Sequence, residues 1–245
     1  MTYCVALKIN AGLVMLADTR TNAGVDNISQ YRKSFTWEVP GERAICLMTA
    51  GNLSITQGIL TRIAESIRRA NAGESVETIL NAGSMFRVAQ IVGDLMREMQ
   101  DRHRIPLMNQ GVGADATVMV CGQRAGGAHR LYMVYSAGNF IEATPDTPFF
   151  QIGETKYGKP ILVRAYDPDM AFEDALKLLM VSFDSTIKAN LSVGLPLDLQ
   201  VYKRDSFTHG EERRIDQENA YYNSISSGWG AALKTAFDSL PDFEL

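Results

Sequence analysis

Three cysteines and three histidines are all that this 245-residue sequence offers for disulfide or metal chemistry, and neither set is spaced for it. Cys4, Cys46 and Cys121 are odd in number, widely separated and set in apolar, strand-like surroundings, which argues against a disulfide framework and predicts reduced core thiols. His103, His129 and His209 make no H-x-x-x-H or C-x-x-C pattern, so no zinc site is expected. A surplus of basic charge is missing too. With 24 Lys and Arg against 28 Asp and Glu, the net charge is -4, and the lack of any concentrated basic run argues against a nucleic-acid partner. No stretch approaches the ~18 uninterrupted apolar residues that span a bilayer, and the opening MTYCVALKIN has neither a basic leader nor an apolar h-region. The expectation is a cytoplasmic protein without membrane contact.

What is present is an ordinary globular composition, 46% hydrophobic and 21% charged, at a length that fits one large domain or two small ones. Tyr3 to Ile9 and Leu13 to Asp18 read as strands joined through Asn10-Ala11-Gly12, a hairpin signal. Ser34 to Val39 and Ala44 to Met48 follow as strands around Pro40-Gly41. Ile55, Ile59, Ile63 and Ile67 then recur at helical spacing until Asn71-Ala72-Gly73, and Ser75 is expected to cap a second helix running from Ile79 to about Arg102. Beyond Pro106, strands are expected at Ala116 to Cys121, Leu131 to Tyr135 and from Asn139. Lys156 to Arg164 reads as partly helical, and Pro168-Asp169 is expected to open a helix with Phe172, Leu176, Leu179 and Phe183 on one face. Leu197 to Tyr202 closes as a strand, Asp205 to Glu218 is polar, and Tyr221 to Leu240 is expected to form a last helix. Strands, a helix pair, strands, helices and a strand, with no linker and no βαβ alternation, predict an α+β protein with two sheets face to face beneath outer helices.

Thr2 follows the initiator Met, and its small side chain permits removal of Met1. The exposed residue would hold a nucleophilic hydroxyl and a base in one unit, since an α-amine titrates at about 7.7 to 8.0 and can accept the hydroxyl proton. A hairpin that starts at Thr2 and ends at Asp18 brings those residues together, and a nearby lysine would lower the proton affinity of the amine and hydroxyl. Asp18 and Lys33 can fill these roles, although the same residues also read as a surface ion pair at a strand end.

Thr2, the run Gly12-Leu13-Val14-Met15-Leu16-Ala17-Asp18-Thr19-Arg20 with Ala23-Gly24, Lys33, and Thr49-Ala50-Gly51 together resemble the proteasome β-subunit and HslV pattern. Gly113 to Gly122 with Asp115, His129 to Tyr132 through Gly138, Ile152-Gly153 and Leu197-Asp198-Leu199 extend the likeness to about Tyr202. The wording TYCVALKINAGLVMLADTRTNAGVDNIS followed by WEVPGER is most similar to the bacterial Anbu group, the ancestral β-subunit. That resemblance implies a four-layer αββα sandwich of the N-terminal nucleophile hydrolase type. It also implies one domain over residues 1–245 with a C-terminal extension from about 205. Thr2 is then the nucleophile of a threonine peptidase, Asp18 and Lys33 its tuning pair, the Gly51 N–H an oxyanion-hole donor and Arg20 a structural support. Thr49 and Leu53, beside Gly51, become candidate pocket residues for a modest apolar side chain. For partners the resemblance implies a homo-oligomeric ring or helical ring-like stack, with helical faces such as Ile55 to Arg69 as contacts, and by analogy an unfoldase or ATP-grasp and transglutaminase-like neighbours. No cofactor is implied. Two departures stand out: Lys33 lies one residue nearer Thr2 than the family spacing, and the expected Gly-Ser-Gly reads Gly153-Glu154-Thr155. Asn190 and Ser192 are the remaining candidates for the residues that flank the nucleophile.

Three readings stay open from sequence: a threonine peptidase acting on peptides or proteins, the same chemistry on small amides or γ-glutamyl bonds, and a non-catalytic ring-assembly subunit that keeps Met1. A Ser-His-Asp enzyme is disfavoured because there is no G-x-S-x-G elbow, and Gly111-Val112-Gly113 lacks the third glycine of a dinucleotide fingerprint.

Overall fold

The alternation in the first twenty residues closes into a hairpin of β1 (Tyr3–Ile9) and β2 (Gly12–Asp18), with Cys4 opposite Ala17 and Ile9 opposite Gly12. The computed structural model describes residues 2–22 and 28–244; Met1 and the Ala23-Gly24 part of the motif lie outside them. Next along the chain come β3 (Arg20–Asn22), β4 (Ile28–Gln30), β5 (Ser34–Val39), β6 (Arg43–Gly51), α1 (Leu53–Asn71) and α2 (Met85–Asn109). They are followed by β7 (Ala116–Arg124), β8 (Arg130–Val134), β9 (Phe140–Glu142), β10 (Phe149–Gly153), α3 (Lys159–Ala165), α4 (Phe172–Ala189), β11 (Leu197–Lys203), β12 (Glu212–Ile215) and α5 (Ala220–Asp238).

Two antiparallel five-stranded sheets result, ordered β10-β1-β2-β11-β12 and β5-β6-β7-β8-β9, with β3-β4 as a separate ribbon. Because side chains alternate along a strand, β1 sends Tyr3, Val5 and Leu7 into a core shared with α4, while Cys4 and Ala6 enter a core shared with the other sheet. β6 divides likewise: Ile45 and Leu47 meet α1 and α2, and Ala44, Cys46 and Met48 meet the first sheet. The inter-sheet core is rich in small side chains, which lets the sheets approach closely. All three cysteines are free and buried there, and burial pushes their thiols upward, as expected for inert core residues.

Several boundaries differ from the sequence expectation. Ser75 caps nothing. Residues 74–84 are outside regular helix because Thr78 and Asn81 build a local turn, with Thr78 N–H donating to Asn81 Oδ1 at 2.7 Å and Asn81 Nδ2 donating to Val76 O at 2.9 Å. The cap of α2 is Ser84, whose hydroxyl accepts from Arg87 N at 3.1 Å, and the helix runs through Pro106 to Asn109. A proline so near the end removes only one bond from the ladder. α4 starts at Phe172, later than Pro168-Asp169 suggested. β3, β4, β10 and β12 fall where no strand was expected. The apolar stripe of α1 faces the core, and its outward side carries paired charges such as Arg62 with Glu65 and Glu98. Among the described residues no helix is long and apolar enough to cross a membrane.

Phe183 is fully buried and packs on Tyr3 with ring centroids 4.4 Å apart. Phe183→Ala should cost about 3–5 kcal/mol of stability in urea unfolding, whereas Val163→Ala, on the exposed face of α3, should change it by less than about 0.5 kcal/mol. His129 Nε2 donates to Ile9 O at 2.9 Å, and burial lowers the ring's pKa. The unfolded chain therefore binds this proton more readily, so the stability His129 contributes is present above the ordinary histidine range and lost as pH falls through the folded pKa. The urea midpoint should fall between pH 7.5 and 5.5, and less so in His129→Asn.

Candidate active site

The strand period that sends Cys4 and Ala6 between the sheets places Thr2 on the same side, at the open end of that space. Its backbone is clamped by β10. Thr2 O accepts the Glu154 N–H at 2.6 Å, and the chain at Gly153 passes so close that a Cβ there would lie 2.0 Å from Thr2 O. Gly153 has φ +85°, so glycine is required there on both counts.

Asp18 ends β2 and is fully buried. Its Oδ1 accepts from the Tyr3 N–H at 2.9 Å and from Lys33 Nζ at 2.6 Å, and Lys33 Nζ also donates to Arg20 O at 2.6 Å. Burial pushes the Asp18 carboxyl up from its usual range, while Lys33 and the Tyr3 and Gly194 N–H groups pull it back. The sequence reading of Asp18 and Lys33 as a surface pair is therefore overturned: the Lys33 side chain is only 5% exposed and that of Asp18 0%.

Gly51 ends β6, where φ +99° turns the chain into α1. A Cβ there would lie 2.2 Å from Asp115 O, and Asn52 anchors the junction, its N–H donating to Asp115 O at 2.7 Å and its Nδ2 to Gly113 O at 2.8 Å. Asn52 also caps α1 by accepting from Ser54 N at 3.0 Å. The first turn of α1 carries no acidic residue, so its partial positive end is not neutralised by a side chain of that turn.

Thr2, Lys33, Thr49, Gly51 and Leu53 line one cleft of about 270 Å³. Thr21, Ala50, Thr56 and Gly153 complete it, and none of these four was singled out from sequence as a pocket residue. A second hollow of about 430 Å³ shares Thr49, Leu53 and Thr56 with the cleft and continues along α1 to Leu60, with Tyr31 and Phe35 on its other side. The cleft that Thr2 borders is therefore lined by side chains of mixed polarity.

Asn190 and Ser192 stand behind the cleft. Asn190 Nδ2 donates to Glu154 Oε2 at 2.9 Å, and the Ser192 N–H donates to Asn190 Oδ1 at 2.9 Å. Glu154, missed by sequence reading except as a departure, thus links Thr2 O to the end of α4. Arg20 supports the same loop through Nη1 to Leu191 O at 3.0 Å. Asp198 is paired with Arg214 at 2.8 Å and lies off the cleft. Among the described residues no group of three or more His, Cys, Asp or Glu side chains could hold a metal ion.

No protein-family model matches the chain, and no curated protein does. Solved structures do match. Anbu from Hyphomicrobium sp. strain MC1 is 45% identical with a TM-score of 0.91, the alignment covering 100% of both chains. Anbu, the ancestral β-subunit, from Yersinia bercovieri is 41% identical with a TM-score of 0.90, again over 100% of both chains. The helical assembly of the Anbu complex from Pseudomonas aeruginosa gives 44% identity and a TM-score of 0.92, covering 99% of this chain and 98% of that one.

The ion pair makes a stability prediction of its own. Lys33→Met leaves a buried carboxylate without its counter-charge and should cost about 3–5 kcal/mol. Adding Asp18→Asn to that variant should restore part of the loss, which a double-mutant cycle of chemical denaturation would measure.

Proposed function

The chain belongs to the Anbu (ancestral β-subunit) family of proteasome relatives, and from that membership we propose that it is a threonine-type N-terminal nucleophile hydrolase that cuts peptide bonds with Thr2 after Met1 is removed. The observation that carries the reading is the meeting of Thr2, Lys33 and Gly51 in one cleft, with Lys33 held by the buried Asp18. The α-amine of the freed Thr2 takes the hydroxyl proton as Oγ attacks the scissile carbonyl carbon. The Gly51 N–H, beside the N-terminus of α1, stabilises the oxyanion of the tetrahedral intermediate. Collapse expels the leaving amine with the proton and leaves an ester on Thr2, which water then cleaves with the same α-amine as base. Lys33, as a cation near the amine, lowers the amine's proton affinity and keeps it available as a base.

Thr49 and Leu53 form the wall that meets the substrate side chain, and the adjoining hollow along α1, lined by Leu60 and Phe35 with Arg32 at its edge, gives that side chain room to extend. This favours a peptide over a minimal amide. Three cores, one between the sheets and one under each helix group, support a four-layer αββα hydrolase domain spanning 1–245, with an extension from about 205. The related Pseudomonas aeruginosa structure, a helical assembly of the Anbu complex, supports a homo-oligomeric stack for this chain as well.

Intact mass spectrometry before and after treatment with a peptide epoxyketone, which needs both hydroxyl and free amine, tests the nucleophile. Loss of Met1 and one adduct on Thr2 is the expected result, and retained Met1 with no adduct would transfer the reading to an assembly subunit. Thr2→Ala should take up no adduct and show no amide hydrolysis. Lys33→Ala should lower the modification rate by about 10²-fold or more, and an unchanged rate would remove Lys33 from the mechanism.

A further inference from the structure

β10 is an edge strand, and its register tells which of its polar groups are free. The Glu154 N–H donates to Thr2 O at 2.6 Å and the Lys8 N–H to Pro148 O at 3.0 Å, so the even-numbered residues here turn their main chain toward β1. Bonding alternates along an antiparallel strand. The N–H and C=O groups of Phe149 and Gln151 therefore point out of the sheet, and among the described residues they have no main-chain partner. Edge strands are ordinarily shielded by a lysine, a proline or a bulge. β10 reads Phe-Phe-Gln-Ile-Gly and carries neither charge nor proline. Beside it lies a groove of about 700 Å³, bounded by β10 of one sheet and by β8 and β9 of the other. Met133 and Ile141, opposite each other in register, form one wall. Lys159 and Val163 of α3 form the other, with Tyr166 resting against Phe149 at a ring-centroid distance of 6.2 Å. Ile141 and Val163 are 42% and 61% exposed, and among the described residues Lys159 has no ion-pair partner. The groove meets the Thr2 cleft on this strand: Gln151 and Thr155 line the groove, and Gly153 between them lines the cleft.

We propose that the free edge of β10 is a second peptide site, where an extended segment of a substrate polypeptide pairs with the main chain of Phe149 and Gln151 and lays its side chains against the two walls. The unpaired groups select the occupant. N–H and C=O pairs repeating at about 6.6 Å along a strand match the main chain of another extended polypeptide and no compact ligand. Side chains of an added strand point alternately to opposite sides. One set meets Met133 and Ile141 and is apolar, and the other meets Val163 and Lys159, where an acidic residue pairs with the free ammonium. Phe149 and Gly153 lie about 13 Å apart along the strand, so a polypeptide held on β10 has its next residues at the border of the Thr2 cleft. Holding one stretch there raises the effective concentration of the next in the cleft. The inference rests on the peptidase reading for the source of the segment, a substrate, while the pairing itself does not require cleavage.

The test is fluorescence anisotropy of fluorescein-labelled Val-Thr-Ile-Glu-Val-Thr-Leu titrated with Thr2→Ala protein, in which hydrolysis of the probe does not enter. Saturable binding is expected. Two further probes carry N-methyl groups on alternate amides, one on the odd-numbered and one on the even-numbered residues. An added strand turns only one of these sets toward β10, so one probe should bind about ten-fold more weakly or worse and the other about as well as the parent. Gln151→Pro removes the N–H at the free edge and keeps every main-chain bond to β1, and it should weaken the parent probe by about ten-fold or more. Far-UV circular dichroism and the melting temperature verify that this variant is folded. If it is not, Lys159→Glu with Val163→Glu, both on the exposed face of α3, should give the same loss. No saturable binding, as when a second copy of the chain closes the edge, overturns the proposal. So does equal affinity of the two methylated probes, or unchanged affinity in a folded variant. Probe binding without an epoxyketone adduct on wild-type protein removes the peptidase and leaves this site standing, and an adduct without probe binding does the reverse.

Discussion

The buried contact between Asp18 and Lys33 fixes where the rest of this end of the molecule can sit. Two opposite charges with almost no exposure lose several kcal/mol each of hydration, and the structure offsets this with close bonds to both partners. Asp18 Oδ1 receives Lys33 Nζ and the Tyr3 N–H, while Lys33 Nζ donates to Arg20 O as well. Asp18 closes a strand of the first sheet and Lys33 leads into the first strand of the second, with Lys33 O accepting the Thr49 N–H at 2.9 Å. One ion pair therefore joins the hairpin carrying Thr2 to the strand that ends at Gly51. A neutral pair of similar volume could pack there, but it would put no positive charge in the cleft.

Two glycines set the remaining distances by steric exclusion. Gly153 lets β10 pass against Thr2, and Gly51 lets β6 turn against Asp115. A methyl group at either place would push backbone away from the cleft, because the atoms it meets are carbonyl oxygens of neighbouring strands or loops. Between them, Glu154 takes up a supporting position. Its backbone holds Thr2 and its carboxylate reaches Asn190 and the Lys156 N–H, a span that a serine at this position is too short to make.

Most of the fold could be read from residue spacing where period and burial agree. The β1–β2 hairpin, β5 and the apolar face of α1 follow directly from alternation or helical spacing. β10 and β12 were hidden because Phe149-Phe150 is too short a run to declare a period and β12 is mostly polar and exposed. Ser75 misled because capping residues also build turns, and only the pairing of Thr78 with Asn81 decides which they do. At the site, Thr2, Asp18, Lys33, Gly51, Thr49 and Leu53 were legible together through the family likeness. Glu154, Thr21 and Thr56 enter the cleft or its support through tertiary contacts that no local pattern encodes.

The supports of Thr2 form a closed circuit of contacts. Thr2 O holds Glu154, Glu154 holds Asn190 at the end of α4, the next residue's carbonyl holds Arg20, Arg20 O holds Lys33, and Lys33 returns through Asp18 to the amide of Tyr3 beside Thr2. Nearly all of this circuit faces inward, and Leu191 is where it meets the outside. Rigid support of a nucleophile needs neighbours that cannot shift independently, and a loop held on one side by Arg20 and Glu154 still has its solvent side open.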